Sequence, residues 1–214
     1  MKNTWYEIYV KEIEEKGSIL NYVNDKIKTK KNLIKLIKKY SANKKIIEAG
    51  SGTGVLSTYL ASIGFDSLAI DIDKDILQLS KYIANQYESK NKPKFKIDSI
   101  LDLKYNKEEF DVSFSNGVLE HFTDKEIITT LKRQMKIAKI VIVGIPTKYF
   151  DDDEAMYGDE RFLKIKYWRE IIAKSGGKIL EEKSCHYLTG IKILFNLKKY
   201  FRPFPYRIFV IKKK

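Results

Sequence analysis

The stretch 45-KIIEAGSGTGVLSTYLA-61 decides how this chain is read. Gly50, Gly52 and Gly54 stand at alternate positions, with the acid Glu48 just before them. Val55, Leu56, Tyr59, Leu60 and Ile63 follow at helical spacing, and Gly64 stops the run. A short apolar strand therefore enters a glycine turn and leaves it as a helix. Residues without Cβ let a ligand reach the main chain at such a turn.

The same rhythm continues outward. SLAID (67–71) reads as a second strand, and Asp73 caps the helix after it, with Ile76, Leu79, Ile83 and Tyr87 on its buried face. FKID (95–98) and FDVSFSN (110–116) read as strands three and four, and 123–136 as a helix. IVIVGI (140–145), stopped by Pro146, is apolar on both faces, as a helix-covered parallel strand should be. A helix over 164–175 and a strand over 178–185 come next. A basic amphipathic helix over 190–200 and a last strand over 206–212 complete the pattern. Before the first strand, residues 1–43 carry no strand signal and read as two or three helices joined near Gly17. Alternating strands and helices predict an open α/β sheet with right-handed crossovers. Ligands of such sheets bind beyond the carboxyl ends of the strands, where the glycine turn lies. The division expected is a helical cap (1–42), a ligand-binding core (43–146) and a substrate-side loop with the C-terminal strands (147–214).

Composition narrows the class. The 214 residues suit one domain, and no apolar run approaches the length of a membrane span. MKNTWYEIYVKEIEEK at the N-terminus lacks an apolar signal region, and the single Cys185 allows no internal disulfide. A cytoplasmic setting is expected. The net charge of +13 raises a nucleic-acid partner, but of the 41 basic residues only Arg133, Arg161, Arg169, Arg202 and Arg207 are arginine. Scattered lysines read as solvated helix faces rather than as a surface that recognises phosphate.

Three glycine loops can be compared. A phosphate loop needs Gly-Lys followed by Ser or Thr, and the one Gly-Lys pair, Gly177-Lys178, is followed by Ile179. A dinucleotide fingerprint needs a glycine where Val55 or Ser57 stands. What remains is Glu48-Ala49-Gly50-Ser51-Gly52-Thr53-Gly54, an acid followed by G-x-G-x-G. This resembles the first motif of the class I S-adenosylmethionine-dependent methyltransferases. The resemblance extends over about 44–146: Asp71 ends strand two 23 residues after Glu48, Asp98-Ser99 ends strand three, and 110-FDVSFSNGVLEHF-122 is similar to the fourth motif.

The resemblance implies a Rossmann-like seven-stranded mixed sheet of order 3-2-1-4-5-7-6 with an antiparallel last strand. It implies S-adenosylmethionine as cofactor and S-adenosylhomocysteine as product. Glu48, Ala49, Gly50, Ser51, Gly52 and Gly54 would line the methionyl part and ribose, and Asp71 would hold the ribose hydroxyls. Ile72 would pack on adenine, Asp98 and Ser99 would meet its amino group, and Asn116 and Gly117 would lie by the methionyl group. Asp102 competes with Asp98 for the adenine. No phosphate-binding lysine is needed, because this cofactor carries a sulfonium, an ammonium and a carboxylate.

For the chemistry, His121 is the candidate general base and Glu120, or a tyrosine of the cap, the second choice. Both also read as plain openers of the next helix. Trp5, Tyr6 and Tyr9 either glue the cap to the sheet or roof the substrate pocket. Cys185 and His186 have no partners at metal spacing, so no metal site is expected. The run Asp151-Asp152-Asp153-Glu154 reads as a solvated loop or as an acidic lip. The place after strand four lacks the Pro-Pro-aromatic motif of amino-methylating DNA enzymes, and no cysteine follows a proline there. A small-molecule acceptor is expected, methylated at oxygen or nitrogen. Helix 190–200 is read as a cover for the sheet rather than as a membrane-surface element. A nicotinamide-dependent oxidoreductase, a non-catalytic cofactor-binding module and, within the methyltransferases, an RNA or protein acceptor are the alternatives.

Overall fold

The computed structural model describes residues 4–149, 158–185 and 206–214. Three helices come first: α1 (Trp5–Glu15), α2 (Ile19–Thr29) and α3 (Lys31–Tyr40). Thr4 caps α1 in a reciprocal box with Glu7, and Ser18 caps α2. Then follow β1 (Lys45–Ala49), α4 (Val55–Ser62), β2 (Asp66–Asp71), α5 (Lys74–Gln86), β3 (Lys94–Ile97) and β4 (Phe110–Asn116). The chain continues as α6 (Asp124–Ile137), β5 (Ala138–Pro146), α7 (Ile165–Lys174), β6 (Gly177–Cys185) and β7 (Tyr206–Lys213).

The seven strands form one sheet of order β3-β2-β1-β4-β5-β7-β6. Strands β1 to β5 pair in parallel, while β7 is antiparallel to both β5 and β6. This is the sheet that the resemblance implies. β7 therefore starts at the edge of the sheet where β4 and β5 end, with Tyr206 opposite Pro146. Helix 190–200, His186 and the acidic run 151–154 lie outside the described residues. Among the described residues, no helix is long and apolar enough to cross a membrane.

Period-two alternation sends neighbouring side chains to opposite faces of the sheet. Ile47, Val141, Val143, Phe209 and Ile211 pack with Leu131 and Met135 of α6 and with Trp168 and Ile172 of α7. Their neighbours Ile46, Ile140, Ile142, Ile208 and Val210 pack with Leu33, Leu36 and Ile37 of α3 and with Leu56 and Leu60 of α4. Each fully buried aliphatic side chain contributes roughly 1.5–3 kcal/mol. A third cluster, Tyr22, Val23, Val55 and Ile83, fastens α2 to α4 and α5. The cap is thus rooted against the helix that follows the glycine turn.

Several ends shift by one residue, so that Asp98 follows β3 rather than ending it, and two boundaries differ in kind from the sequence reading. Pro146 continues β5 instead of stopping it. Pairing with β4 ends at Gly144, so Pro146 has only β7 beside it, and its missing N–H costs no ladder bond on the other side. Leu119–His121 is a separate 3-10 turn rather than the first turn of α6. Thr123 closes its own capping box with Glu126 and starts α6 afresh.

Candidate active site

The glycine turn is built from left-handed backbone. Gly50 and Gly52 have φ of +73° and +51°, a region that strains any residue with a Cβ. Space forbids a side chain as well. A Cβ on Gly50 would lie 2.8 Å from the Val118 side chain, and one on Gly52 would lie 2.6 Å from the Tyr9 hydroxyl. The N–H groups of Gly50 and Ser51 both donate to Ile70 O at 2.9 Å, which ties the turn to the end of β2.

Three carboxylates stand along this edge, each held by the fold. Glu48 is buried and accepts from the Ser57 amide at 3.0 Å and the Ser57 hydroxyl at 2.6 Å, bracing β1 against α4. Burial pushes its carboxyl up to about 8, against the downward pull of Ser57. Asp71, at the end of β2, accepts from the amides of Gly52 at 2.9 Å and Asp73 at 3.1 Å. Burial raises its pKa, and those backbone donors oppose the rise. A carboxylate has about four acceptor positions, so both oxygens of Asp71 retain capacity for two hydroxyl donors. Asp98 accepts from Lys96, Tyr105 and the Ser99 amide. Burial works upward on Asp98, but Lys96 and Tyr105 outweigh it and hold the carboxyl below its ordinary value.

The neighbouring residues suit a nucleoside. Ile72 and Ile97 are 73% and 55% exposed at the carboxyl ends of β2 and β3, a paired apolar surface beside Asp71. The Asp98 amide donates to Asp71 O at 3.0 Å, so Asp98 stays beside Asp71. Asp102 turns instead to Arg133 of α6 and to Lys104. The Ser99 hydroxyl accepts from the Leu101 amide at 3.2 Å. The Ser51 hydroxyl is buried in the turn without a hydrogen-bond partner, and Ala49 is buried beneath it. An orphaned hydroxyl, a Cβ-free cradle and acids without a phosphate-binding lysine fit a cationic nucleoside and not a phosphate-bearing one.

Across the sheet from Asp71, β4 ends in Asn116 and Gly117. Asn116 Oδ1 accepts from the Tyr206 hydroxyl of β7 at 2.9 Å, and the Gly117 amide donates to Gly144 O at 2.9 Å. The 3-10 turn follows directly. His121 Nδ1 is hydrogen-bonded to Asp159 Oδ1. Glu120 is 3% exposed, and its Oε2 has no hydrogen-bond partner. Burial pushes the Glu120 carboxyl up to about 8, with Asp159 and Glu160 adding to the rise and Lys30 opposing it. Segment 158–163 clamps the turn, because the Arg161 amide donates to Glu120 O at 2.9 Å and the Arg161 guanidinium reaches Phe122 O and Asp124.

Helix α1 bridges the two sides. The Tyr9 hydroxyl stands over Gly52, Trp5 stacks on Tyr9 with centroids 5.7 Å apart, and the rings of Trp5 and His121 meet edge to face at 5.4 Å. Burial raises the pKa of the Tyr9 phenol, and the carboxylates of Asp71, Glu12, Glu48 and Glu120 raise it further. Tyr6 is 43% exposed and takes no part. The hydroxyl of the fully buried Tyr22 joins Thr53 of the glycine turn at 3.2 Å and Glu12 of α1 at 3.4 Å, and Lys26 pairs with Glu12 at 2.9 Å.

Asp159, Arg161, Tyr22, Lys30 and Tyr206 are the members that the sequence reading does not single out. Their contacts span tens of residues and follow no period. Among the described residues, no three His, Cys, Asp or Glu side chains gather to hold a metal ion.

Residues 40–187 match the family model described as a methyltransferase domain. The chain therefore belongs to the methyltransferase-domain family, of the class I S-adenosylmethionine-dependent type that its fold and glycine turn define. S-adenosylmethionine is the cofactor of that type. A curated relative, the ubiquinone biosynthesis O-methyltransferase of Pelagibacter ubique (strain HTCC1062), is 30% identical over 115 residues. That alignment covers 51% of this chain and 46% of the relative, so the match spans about half the length of each. Among solved structures, the magnesium protoporphyrin IX methyltransferase of Synechocystis PCC 6803 with bound S-adenosylmethionine superposes with a TM-score of 0.66. It is 18% identical, over 91% of this chain and 82% of that one. The geranyl diphosphate C-methyltransferase of Streptomyces coelicolor A3(2) gives a TM-score of 0.63 at 12% identity, over 86% of this chain and 79% of that one. Both share the fold. Their acceptors differ, and neither carries over to this chain.

Proposed function

We propose that this chain transfers the methyl group of S-adenosylmethionine to an oxygen or nitrogen nucleophile of a small molecule by in-line displacement. The observation that carries the reading is the His121–Asp159 pair, set just beyond Gly117 and joined to the glycine turn through Trp5 and Tyr9. The cofactor supplies an activated methyl group whose C–S bond breaks as the nucleophile attacks, the electron pair going to sulfur.

The protein has to position the partners and keep water out. Such positioning supplies on the order of 7–11 kcal/mol. Gly50, Ser51, Gly52, Gly54, Asn116 and Gly117 line the methionyl part, with Glu48 and Ala49 as the floor. Asp71 holds the ribose, and Ile72, Asp98 and Ser99 border the adenine. The Asp159 carboxylate accepts from Nδ1–H of His121, which fixes the tautomer and leaves Nε2 as an acceptor. That nitrogen takes the proton of the attacking hydroxyl or amine. Glu120 is the second ionisable group at the same turn. Helix α1 of the cap covers the glycine turn through Tyr9, and segment 158–163 with Tyr206 of β7 borders the acceptor. A single cysteine agrees with a reducing cytoplasmic setting.

The test uses the whole chain with a methyl-labelled donor and a cellular metabolite extract. A labelled small product that disappears with excess S-adenosylhomocysteine supports the reading. Label found in RNA or protein alone, or in nothing, overturns it.

A further inference from the structure

The deep end of the acceptor side holds a carboxyl that the fold satisfies only in part. Glu120 is 97% inaccessible by its 3% exposure, yet Oε2 makes no hydrogen bond. A buried acceptor left unpaired costs roughly 1–3 kcal/mol, more if it is charged, so such an oxygen marks a place where a partner is missing. Its surroundings locate that place. Glu120 Oε1 lies 3.6 Å from where a Cβ on Gly117 would stand, and the Tyr206 hydroxyl lies 3.8 Å from the same point. Gly117 has φ +70° and no side chain to fill the space between them. The Tyr206 hydroxyl is committed to Asn116, and the Tyr206 ring carries Lys30 Nζ at 4.8 Å from its centroid.

The charges facing this space are mostly of one sign. Asp159 and Glu160 approach Glu120 from segment 158–163, and Lys30 is the cation that opposes them. Glu160 accepts from the Gly158 amide at 2.7 Å, and Asp159 binds His121. In a chain of net charge +13, the buried Glu120 with the partly buried Glu160 and the exposed Asp159 beside it disfavours an anionic acceptor and favours one that brings hydrogen.

We propose that Glu120 is the acceptor-binding residue and that the acceptor presents an amine nitrogen, whose N–H docks on the Glu120 carboxyl beside Gly117 and the Tyr206 hydroxyl. This deepens the methyltransferase reading and rests on it. It selects amines over carboxylates as the head group that enters between the 3-10 turn and β7. The acceptor enters as the free amine, its ammonium proton left in solvent, and Glu120 accepts one of its N–H groups through a lone pair of the carboxyl oxygen. The amine then has its lone pair for the methyl carbon.

Three probes of one shape and different head groups test it: benzylamine, benzyl alcohol and benzoate. Each is titrated calorimetrically into the whole protein saturated with S-adenosylhomocysteine. The expected order places benzylamine at least about tenfold tighter than benzoate, with benzyl alcohol between them. Glu120→Gln is expected to weaken benzylamine about tenfold while benzoate stays the same or gains, and Glu120→Asp is expected to restore part of the preference. Benzoate binding as tightly as benzylamine, no measurable benzylamine binding, or a Glu120→Gln protein with unchanged benzylamine affinity overturns the proposal. S-adenosylhomocysteine affinity is measured first in every variant. Its loss in the wild-type protein would instead overturn the methyltransferase reading, and its retention in Glu120→Gln shows that the variant is folded.

Discussion

The two halves of the sheet's carboxyl edge are built on opposite terms. On the β1–β3 side, Glu48, Asp71 and Asp98 each have protein donors: Ser57, the Gly52 and Asp73 amides, and Lys96 with Tyr105. On the β4–β7 side, Glu120 Oε2 has none. His121 there is held by a carboxylate from a distant loop and by the edge of Trp5. In the first half the fold holds every carboxylate and leaves only the Ser51 hydroxyl open; in the second it leaves a buried carboxyl oxygen open. A site that serves one invariant cofactor can be made rigid, whereas selectivity for an acceptor comes from polar groups whose satisfaction depends on what enters.

That contrast can be broken most decisively at His121. Replacing it with alanine is expected to slow turnover by roughly 10²–10⁴-fold, while S-adenosylhomocysteine affinity moves less than about twofold. Asp159→Asn, which disturbs the tautomer without removing the ring, should cost about tenfold or more in turnover. A cofactor affinity that falls in step with turnover would merge the two halves into one.

The reverse experiment is Gly50→Ala. The left-handed backbone and the Val118 side chain at 2.8 Å both oppose the new Cβ. A loss of about 1–2 kcal/mol from the backbone alone corresponds to a cofactor affinity lowered roughly tenfold or more by calorimetry. Val118 links the turn to the residue after Gly117, so tight binding in this variant would show that the cradle is softer than its geometry states.

Acid titration sharpens the comparison further. Glu48 and Glu120 have folded-state pKa values raised to about 8 by burial, above the ordinary 4.5 of the unfolded chain. Between those values the folded protein binds more protons than the unfolded one, so stability falls as pH rises through that window. The unliganded protein should therefore melt higher at pH 5 than at pH 8, by several degrees at about 2–4 °C per kcal/mol. Glu48→Gln and Glu120→Gln should each flatten the slope. Carboxylates held low by partners, such as Asp98 and Asp124, act in the opposite direction and lose their contribution only as pH falls below the ordinary carboxylate range. A melting temperature that climbs from pH 5 to pH 8 contradicts the burial of both groups.

The smallest effect is expected at Tyr22→Phe. It removes the hydroxyl that joins α1, α2 and the glycine turn and keeps the buried ring. About 1 kcal/mol of stability and a few degrees in melting temperature should be lost. A larger loss of cofactor affinity than of stability would show that the cap reports on the turn directly.

The donor half was legible because it is local. Glu48, the glycines, Asp71 and Asp98 fall within one run of alternating strands and helices, and each sits where a strand ends. The sheet order followed from the resemblance carried by those residues. The acceptor half draws on α1, the α2–α3 junction, the turn after β4, segment 158–163 and the start of β7. Asp159 has no periodic neighbour to announce it, and Tyr206 reads in sequence as one more aromatic opening a strand. Pro146 was misread as a stop because the sequence does not show that β4 has already ended beside it.

The position of β7 also sets a timetable. It slots between β5 and β6 and delivers Tyr206 to Asn116 across 90 residues of chain. During translation, at about 5–20 residues per second, Asn116 emerges on the order of ten seconds before its partner does. A growing polypeptide thus carries the glycine turn and the end of β4 before the strand that meets Asn116 exists. The contact of Tyr206 with Asn116 can close only once β7 has entered the sheet between β5 and β6.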